Sequence, residues 1–237
     1  DFHNHATTYL IAEMLELHDK ERFEIHAFSF GPNAADEMRQ RCISAVDSFH
    51  DVTNLSDQDV AKFARDLNID IAVDLKGYTQ HARMGIFALR AAPIQISYLG
   101  YPGTVGADYM DYVLADPVLI PETSKTFYTE KIIFLPNSYQ VNDSMREISK
   151  KEFSRADLGL PEKGFIFCCF NANYKISPSI FDSWCRILAK VDGSIIWLLE
   201  GSPLVKENLI REASSRGIDS HRLVFASRIE NSEHLAR

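Results

Sequence analysis

Short apolar runs bounded by turn residues alternate with segments whose apolar positions recur at helical spacing, the pattern of βα units and a parallel sheet. Strands are predicted at 23–30, 49–52, 69–75, 94–99, 112–115 and 132–135. Between them, Tyr9, Ala12, Leu15 and Leu17 mark an opening helix. Val60, Phe63, Ala64 and Leu67 repeat at i, i+3, i+4, i+7, with Ser56 as the N-cap of that second helix.

From Asn137 to about Pro161 the chain turns polar, and a new apolar run then begins. The boundary predicts an N-terminal Rossmann-like domain over 1–140, a linker over 141–160 and a second domain over 161–237. In the second domain, strands are expected at 165–170, 194–199 and 223–226, with helices at about 178–189 and 204–216. Three parallel strands are half of a doubly wound sheet, so the second domain reads as truncated. The first lacks the strand that a βαβ fold places before its opening helix. No repeat and no low-complexity tract interrupts this organisation.

Composition narrows the function classes. With 237 residues, 46% of them hydrophobic, the chain can bury one large or two modest cores. A net charge of -8 argues against a phosphate-backbone footprint, so no nucleic acid is expected as a partner. No apolar stretch approaches the ~20 residues of a membrane span, and Asp1-Phe2-His3-Asn4-His5 is no signal peptide. The expected address is the cytoplasm. Cys42, Cys168, Cys169 and Cys185 form no C-x-x-C spacing, which predicts reduced, buried thiols and neither a zinc site nor a disulfide framework.

The strongest local signal is the strand 165–170 running into Asn171-Ala172-Asn173-Tyr174-Lys175-Ile176, after which Ser177 caps a helix whose first residue is Pro178. Ligands of open parallel sheets bind at the carboxyl ends of strands, where helix N-termini present free N–H groups. Lys175 would add a full charge suited to a diphosphate; the alternative is a solvated loop lysine. His234 and Arg237 fall at the start of a further helix on the same sheet edge, and both side chains can stack on and hydrogen-bond to a base. The glycine-dense run 98–106 either lets backbone approach a ligand closely or makes a tight turn, and Gly77-Tyr78-Thr79 is a weaker loop of that kind. His5, heading the first helix, has an imidazole suited to base or orienting chemistry.

Taken together, 1–5, 77–79, Ala92-Pro93-Ile94-Gln95, Leu99-Gly100-Tyr101-Pro102-Gly103-Thr104, Met110-Asp111-Tyr112, 170–176 and Glu233-His234-Leu235-Ala236-Arg237 resemble the catalytic region of protein O-GlcNAc transferases of the bacterial type. The same family includes Spindly-type O-fucosyltransferases and bacterial N-glucosyltransferases. The resemblance implies a GT-B α/β fold of two Rossmann-like domains with parallel sheets, facing across a cleft. It implies inverting, metal-independent transfer of GlcNAc from UDP-GlcNAc to Ser or Thr hydroxyls, with no cofactor; GDP-fucose transfer and a nonenzymatic Rossmann-like binding module are the alternatives. His5 would be the active-site histidine and Lys175 would neutralise the leaving UDP. Asn171 and Tyr174 would line the donor pocket, and His234 and Arg237 would hold the uracil. Leu99, Gly100, Pro102 and Thr104 would face the sugar and acceptor. Ala172 and Asn231 depart from the polar residue and the lysine that relatives place there. The His-Thr-Thr diphosphate loop, and the tetratricopeptide repeats that recruit acceptor polypeptides, lie outside these residues, so the isolated piece is expected to be inactive.

Overall fold

A computed structural model describes residues 1–237 and divides them into two compact units, Asp1–Arg146 and Glu147–Arg237. No helix is long and apolar enough to cross a membrane.

In the first unit, β1 (His26–Ser29) pairs with β2 (Ser48–Asp51). A second sheet has the order β3 (Ile71–Asp74), β4 (Ile94–Ser97), β5 (Tyr112–Ala115), β6 (Lys131–Phe134). Every pairing is parallel, as the alternation of strands and helices predicts. Helix α1 (Ala6–Glu16) buries Ile11, Ala12 and Leu15. One core joins Ile11, Leu15, Ala27, Cys42, Tyr98 and Leu99, and another joins Val52, Val60, Ala64, Ile86 and Phe87. Helix α3 (Asp57–Asp66) starts where expected: Ser56 Oγ accepts from the Asp59 N–H at 3.1 Å and donates to its carboxylate at 2.6 Å.

Two helices carry no legible period. Helix α2 (Glu37–Ala45) buries Met38, Arg39, Cys42 and Ala45. A charged residue thus stands on its inner face; the Arg39 guanidinium donates to Ser29 Oγ at 3.0 Å and lies 4.9 Å from the Phe49 ring. Helix α4 (Met84–Ala88) has five residues, too few to display a repeat.

Strand ends are trimmed relative to the apolar runs. Leu99 leaves the strand altogether with φ of 68°, in the left-handed region, where a side chain costs about 1–3 kcal/mol. The fully buried Gln95 amide is paired at both ends: it accepts from the Ala91 N–H at 2.9 Å and donates to the carbonyls of Phe87 at 2.8 Å and Tyr109 at 2.6 Å.

The second unit holds β7 (Ile166–Cys169), β8 (Ile195–Leu199) and β9 (Leu223–Ala226), parallel and in sequence order. Helix α5 (Pro178–Lys190) has Ser177 as N-cap and Pro178 in its first turn, as the sequence predicts, and buries Phe181, Cys185 and Leu188. Helix α6 (Pro203–Ser215) repeats the device with Ser202. Of the four cysteines, all unpaired, Cys42 and Cys185 are buried, but Cys168 is exposed. This corrects the expectation of four buried thiols: the β7 residues alternate faces, and on the face shared by Ile166, Cys168 and Phe170 the flanking two pack against the Leu160 and Trp197 cluster while Cys168 between them stays exposed.

Leu198 lies fully buried at the centre of the second unit's core. Leu198→Ala should lower stability by about 2–5 kcal/mol, read as a shift of the denaturant midpoint of this unit.

Candidate functional site

In a parallel sheet all carboxyl ends share one edge, and His5, Leu99, Gly100 and Pro102 gather there, whereas Thr104 does not. His5 is the N-cap of α1. Its Nδ1 accepts from the Thr7 N–H at 3.2 Å. A neutral imidazole accepting at Nδ1 carries its proton on Nε2, so this ring offers a donor at its other nitrogen. Burial lowers the His5 pKa below its ordinary 6.5, and His3 and Lys76 push the same way. Lys76, itself buried at the end of β3, forms an ion pair with Asp1 at 2.6 Å, and Asp1 Oδ2 stands 3.8 Å from His5 Nδ1.

The loop after β4 reaches this place from the other side. Leu99 packs in the core with Ile11 and Leu15. A Cβ on Gly100 would overlap the Leu75 carbonyl oxygen, and one on Gly77 would overlap Tyr101. Here glycine is needed for close packing of the loop against Leu75 and Tyr101, which is the tight structural turn of the two alternatives. The Pro102 carbonyl accepts from Tyr128 Oη at 3.0 Å. Thr104 differs from its neighbours: its hydroxyl donates to Glu130 at 2.6 Å and accepts from the Gly106 N–H at 3.0 Å.

The second unit assembles the other set. Asn173–Lys175 form a single 3-10 turn between β7 and the Ser177 cap, with Tyr174 and Lys175 exposed. Lys175 makes no ion pair, and Asn171 is exposed beside Cys169. Asn173 ties the turn to the next loop, donating to the Leu199 carbonyl at 3.1 Å and packing against Gly201. A cavity of about 670 Å³ opens beside it, lined by Glu200, Gly201, Ser202, Pro203, Lys206 and Arg228.

His234 and Arg237 sit in and at the end of the short helix α7 (Asn231–Ala236) and are brought to the end of β7 by Phe170. The His234 ring lies 5.1 Å from that of Phe170. The Arg237 guanidinium lies 4.8 Å from Phe170 and 5.6 Å from Trp197, and donates to His234 Nδ1 at 3.2 Å through Nε and to the Ser227 carbonyl at 2.8 Å. The result is an aromatic and cationic patch beside the Lys175 turn, of a kind that accepts a base and its phosphates.

Comparison with known proteins agrees with this geometry. The profile of glycosyl transferase family 41 matches residues 1–153 and 150–237. The chain belongs to that family. It is 37% identical, over its whole length, to 25% of the probable UDP-N-acetylglucosamine–peptide N-acetylglucosaminyltransferase SEC of Arabidopsis thaliana. A similarly named enzyme of Caenorhabditis elegans is 25% identical over all of this chain and 30% of the relative. A lysine-to-methionine mutant of the Thermobaculum terrenum O-GlcNAc transferase superposes with a TM-score of 0.86 at 27% identity, over 98% of this chain and 44% of that one. The family member described here therefore has the α/β, parallel-sheet GT-B type of fold, and it spans between a quarter and a half of the length of these proteins.

Reading one residue at a time missed Lys76, Phe170 and Trp197 as parts of these clusters. Phe170 and Trp197 look like ordinary strand apolars, and only their register across β7 and β8 reveals a shared face.

Two outcomes test the local geometry. Gly106 has φ of 67° and open space where a Cβ would stand, whereas Gly100 faces backbone. Gly106→Ala should cost about 1–2 kcal/mol of backbone strain, and Gly100→Ala should cost more, both read by denaturant unfolding. His5 gives a pH signature. Its folded pKa is depressed, so its contribution is complete above the unfolded value of 6.5 and is lost as pH falls through the folded one. His5→Asn keeps a strong cap and should flatten this part of the acid-side decline in melting temperature, leaving the parts due to His3 and His50, which shift the same way.

Proposed function

We propose that the protein transfers GlcNAc from UDP-GlcNAc to Ser or Thr hydroxyls of polypeptides, with inversion and without a metal ion. The observation that carries the reading is Lys175, an exposed ammonium without an ion-pair partner, in a turn that ends a parallel strand and leads into a Ser177-capped helix N-terminus. In the reaction, the acceptor hydroxyl oxygen attacks the anomeric carbon and gives up its proton to water, while the bond from that carbon to the diphosphate oxygen breaks. UDP leaves with the bonding electron pair. The negative charge that develops on it is met by the Lys175 ammonium, the kind of fixed charge that contributes most to such steps.

Other residues take supporting roles. Asn171 and Tyr174 flank the donor, and His234 and Arg237 offer stacking faces and donors to the uracil. On the first unit, Leu99, Gly100 and Pro102 present backbone and apolar surface to sugar and acceptor. His5 donates from Nε2 and orients a hydroxyl or sugar oxygen. The printed names of the relatives support GlcNAc as the sugar. Unpaired thiols fit a reducing compartment, the cytoplasm. An acceptor polypeptide, recruited by tetratricopeptide repeats, completes the set of partners.

Lys175→Ala in the complete polypeptide should lower kcat by about 10²–10³-fold while unfolding is unchanged, and EDTA should leave the wild-type rate as it is. UDP should compete with the donor far better than GDP. Unimpaired transfer by the variant would end the assignment of Lys175, and preference for GDP would replace GlcNAc by fucose.

A further inference from the structure

Strands β4 and β5 are adjacent and parallel, so the chain leaving β4 at the carboxyl edge must return to the amino edge before β5 can start. In most βαβ units a helix makes that return. Here no helix lies between Ser97 and Tyr112, and the return is made by the open run 98–111, which contains Gly100, Gly103, Gly106 and Pro102. The backbone of such a run is flexible, so contacts must fix it, among them the burial of Val105 and Met110 in the core.

Glu130 immediately precedes β6 and therefore stands at the amino edge, at the far end of this return. It is 4% exposed. One carboxylate oxygen accepts from the Val105 N–H at 2.5 Å; the other accepts from Thr104 Oγ at 2.6 Å and from Thr129 Oγ at 3.3 Å. No cation lies within ion-pair distance of it, so donors of the loop and of its own turn are what satisfy the buried charge. Charge-assisted bonds of this kind are about twice as strong as neutral ones. The other ties on this limb are neutral: Tyr78 Oη to the Val105 carbonyl at 2.8 Å, Tyr128 Oη to the Pro102 carbonyl at 3.0 Å, and the Thr129 N–H and hydroxyl to Thr104 Oγ, each at 3.4 Å.

We propose that Glu130 is a positioning residue: by gripping Thr104 and Val105 at the amino edge, it sets the height and tilt of Leu99–Pro102 at the carboxyl edge, where sugar and acceptor are handled. The proposal rests on the transferase reading above. It places Thr104 as the loop's clamp point. Glu130 itself touches no substrate. Removing the carboxylate strands the Val105 N–H in a buried position and frees the lower limb. Glutamine keeps an acceptor for Val105, loses the charge and turns the second oxygen into an NH2 donor, toward which Thr104 Oγ must reorient to accept.

The test compares wild type, Glu130→Ala, Glu130→Gln and Thr104→Val in the complete polypeptide, by amide hydrogen exchange over 98–106 and by transfer kinetics with UDP-GlcNAc and an acceptor peptide. Glu130→Ala should speed exchange at Val105 and Gly106 by tenfold or more and lower kcat/KM for the peptide by about 10–100-fold, with affinity for UDP unchanged. Glu130→Gln should recover to within about threefold of wild type, and Thr104→Val should fall between. Should Glu130→Ala not fold, the glutamine and valine variants carry the comparison through exchange and the peptide's kcat/KM. Unchanged exchange at Val105 overturns the proposal. So does faster exchange with unchanged peptide kinetics, or a lowered melting temperature with both kcat and KM intact, which would make the contact purely structural. Absence of any transfer by wild type would instead fail the transferase reading, and the exchange data would still decide whether Glu130 holds the loop.

Discussion

A buried carboxylate that accepts backbone N–H groups is the interaction on which the first unit depends. Its strands are four residues long, so connections outweigh ladders and must be fixed by something other than sheet hydrogen bonds. Asp74 accepts from the amides of Lys76 and Gly77, each at 2.9 Å. Asp116 accepts from Val118, Leu119 and Tyr139, each at 2.8 Å, and those amides hold its carboxyl below the usual range. Asp143 binds the Arg41 guanidinium and the Met145 amide; burial opposes its charge, yet these partners together win. At Asp74 the balance is reversed, and burial pushes its carboxyl up. Each acid converts a floppy turn into a fixed one at the cost of a buried charge, which is tolerable because every oxygen has donors.

The second unit uses a different device. It buries no carboxylate. Its loops end on serine hydroxyls, Ser177 and Ser202, that cap helices beginning with proline. A neutral cap satisfies part of a helix N-terminus and leaves other N–H groups and the positive end of the dipole available. A carboxylate there would repel a diphosphate. Lys175, Lys206, Arg228 and Arg237 add positive charge, set against Glu200, which is paired with Lys206 at 3.6 Å, and against Glu230 and Glu233 at the start of α7. Loops are thus fixed by anions in the first unit and by neutral serine caps in the second.

What was legible in the sequence follows from this division. Strands, the Ser56 and Ser177 caps and the placement of Lys175 at a strand end are local features, set by residues within a turn or two of one another. The tethers are not local: Glu130 meets Val105 across 25 residues, Gln95 meets Asp111 across 16, and Arg41 meets Asp143 across 102. No period or motif announces them. Helix α2 escaped notice for a related reason, since its buried face includes Arg39, whose partners Ser29 and Asp51 lie on β1 and β2. Leu99 extended a predicted strand because its side chain is apolar and buried, whereas its backbone has already turned left-handed to bring Gly100 against Leu75.

His5 shows how a helix cap and a chemical group share one ring. Asparagine or aspartate would cap α1 better than histidine does, but neither would leave a second nitrogen on the far side of the ring. Because Nδ1 is engaged by Thr7, the plane and tautomer of the imidazole are set by the helix itself, and Nε2 becomes a donor in a fixed direction. Nδ1 cannot cap the helix and take up a proton at once. Burial opposes a proton there first, and His3 and the neighbouring Lys76 ammonium add to that penalty, against the pull of the Asp1 carboxylate at 3.8 Å. Burial, His3 and Lys76 thereby favour the neutral ring, whose hydrogen-bond donor is Nε2.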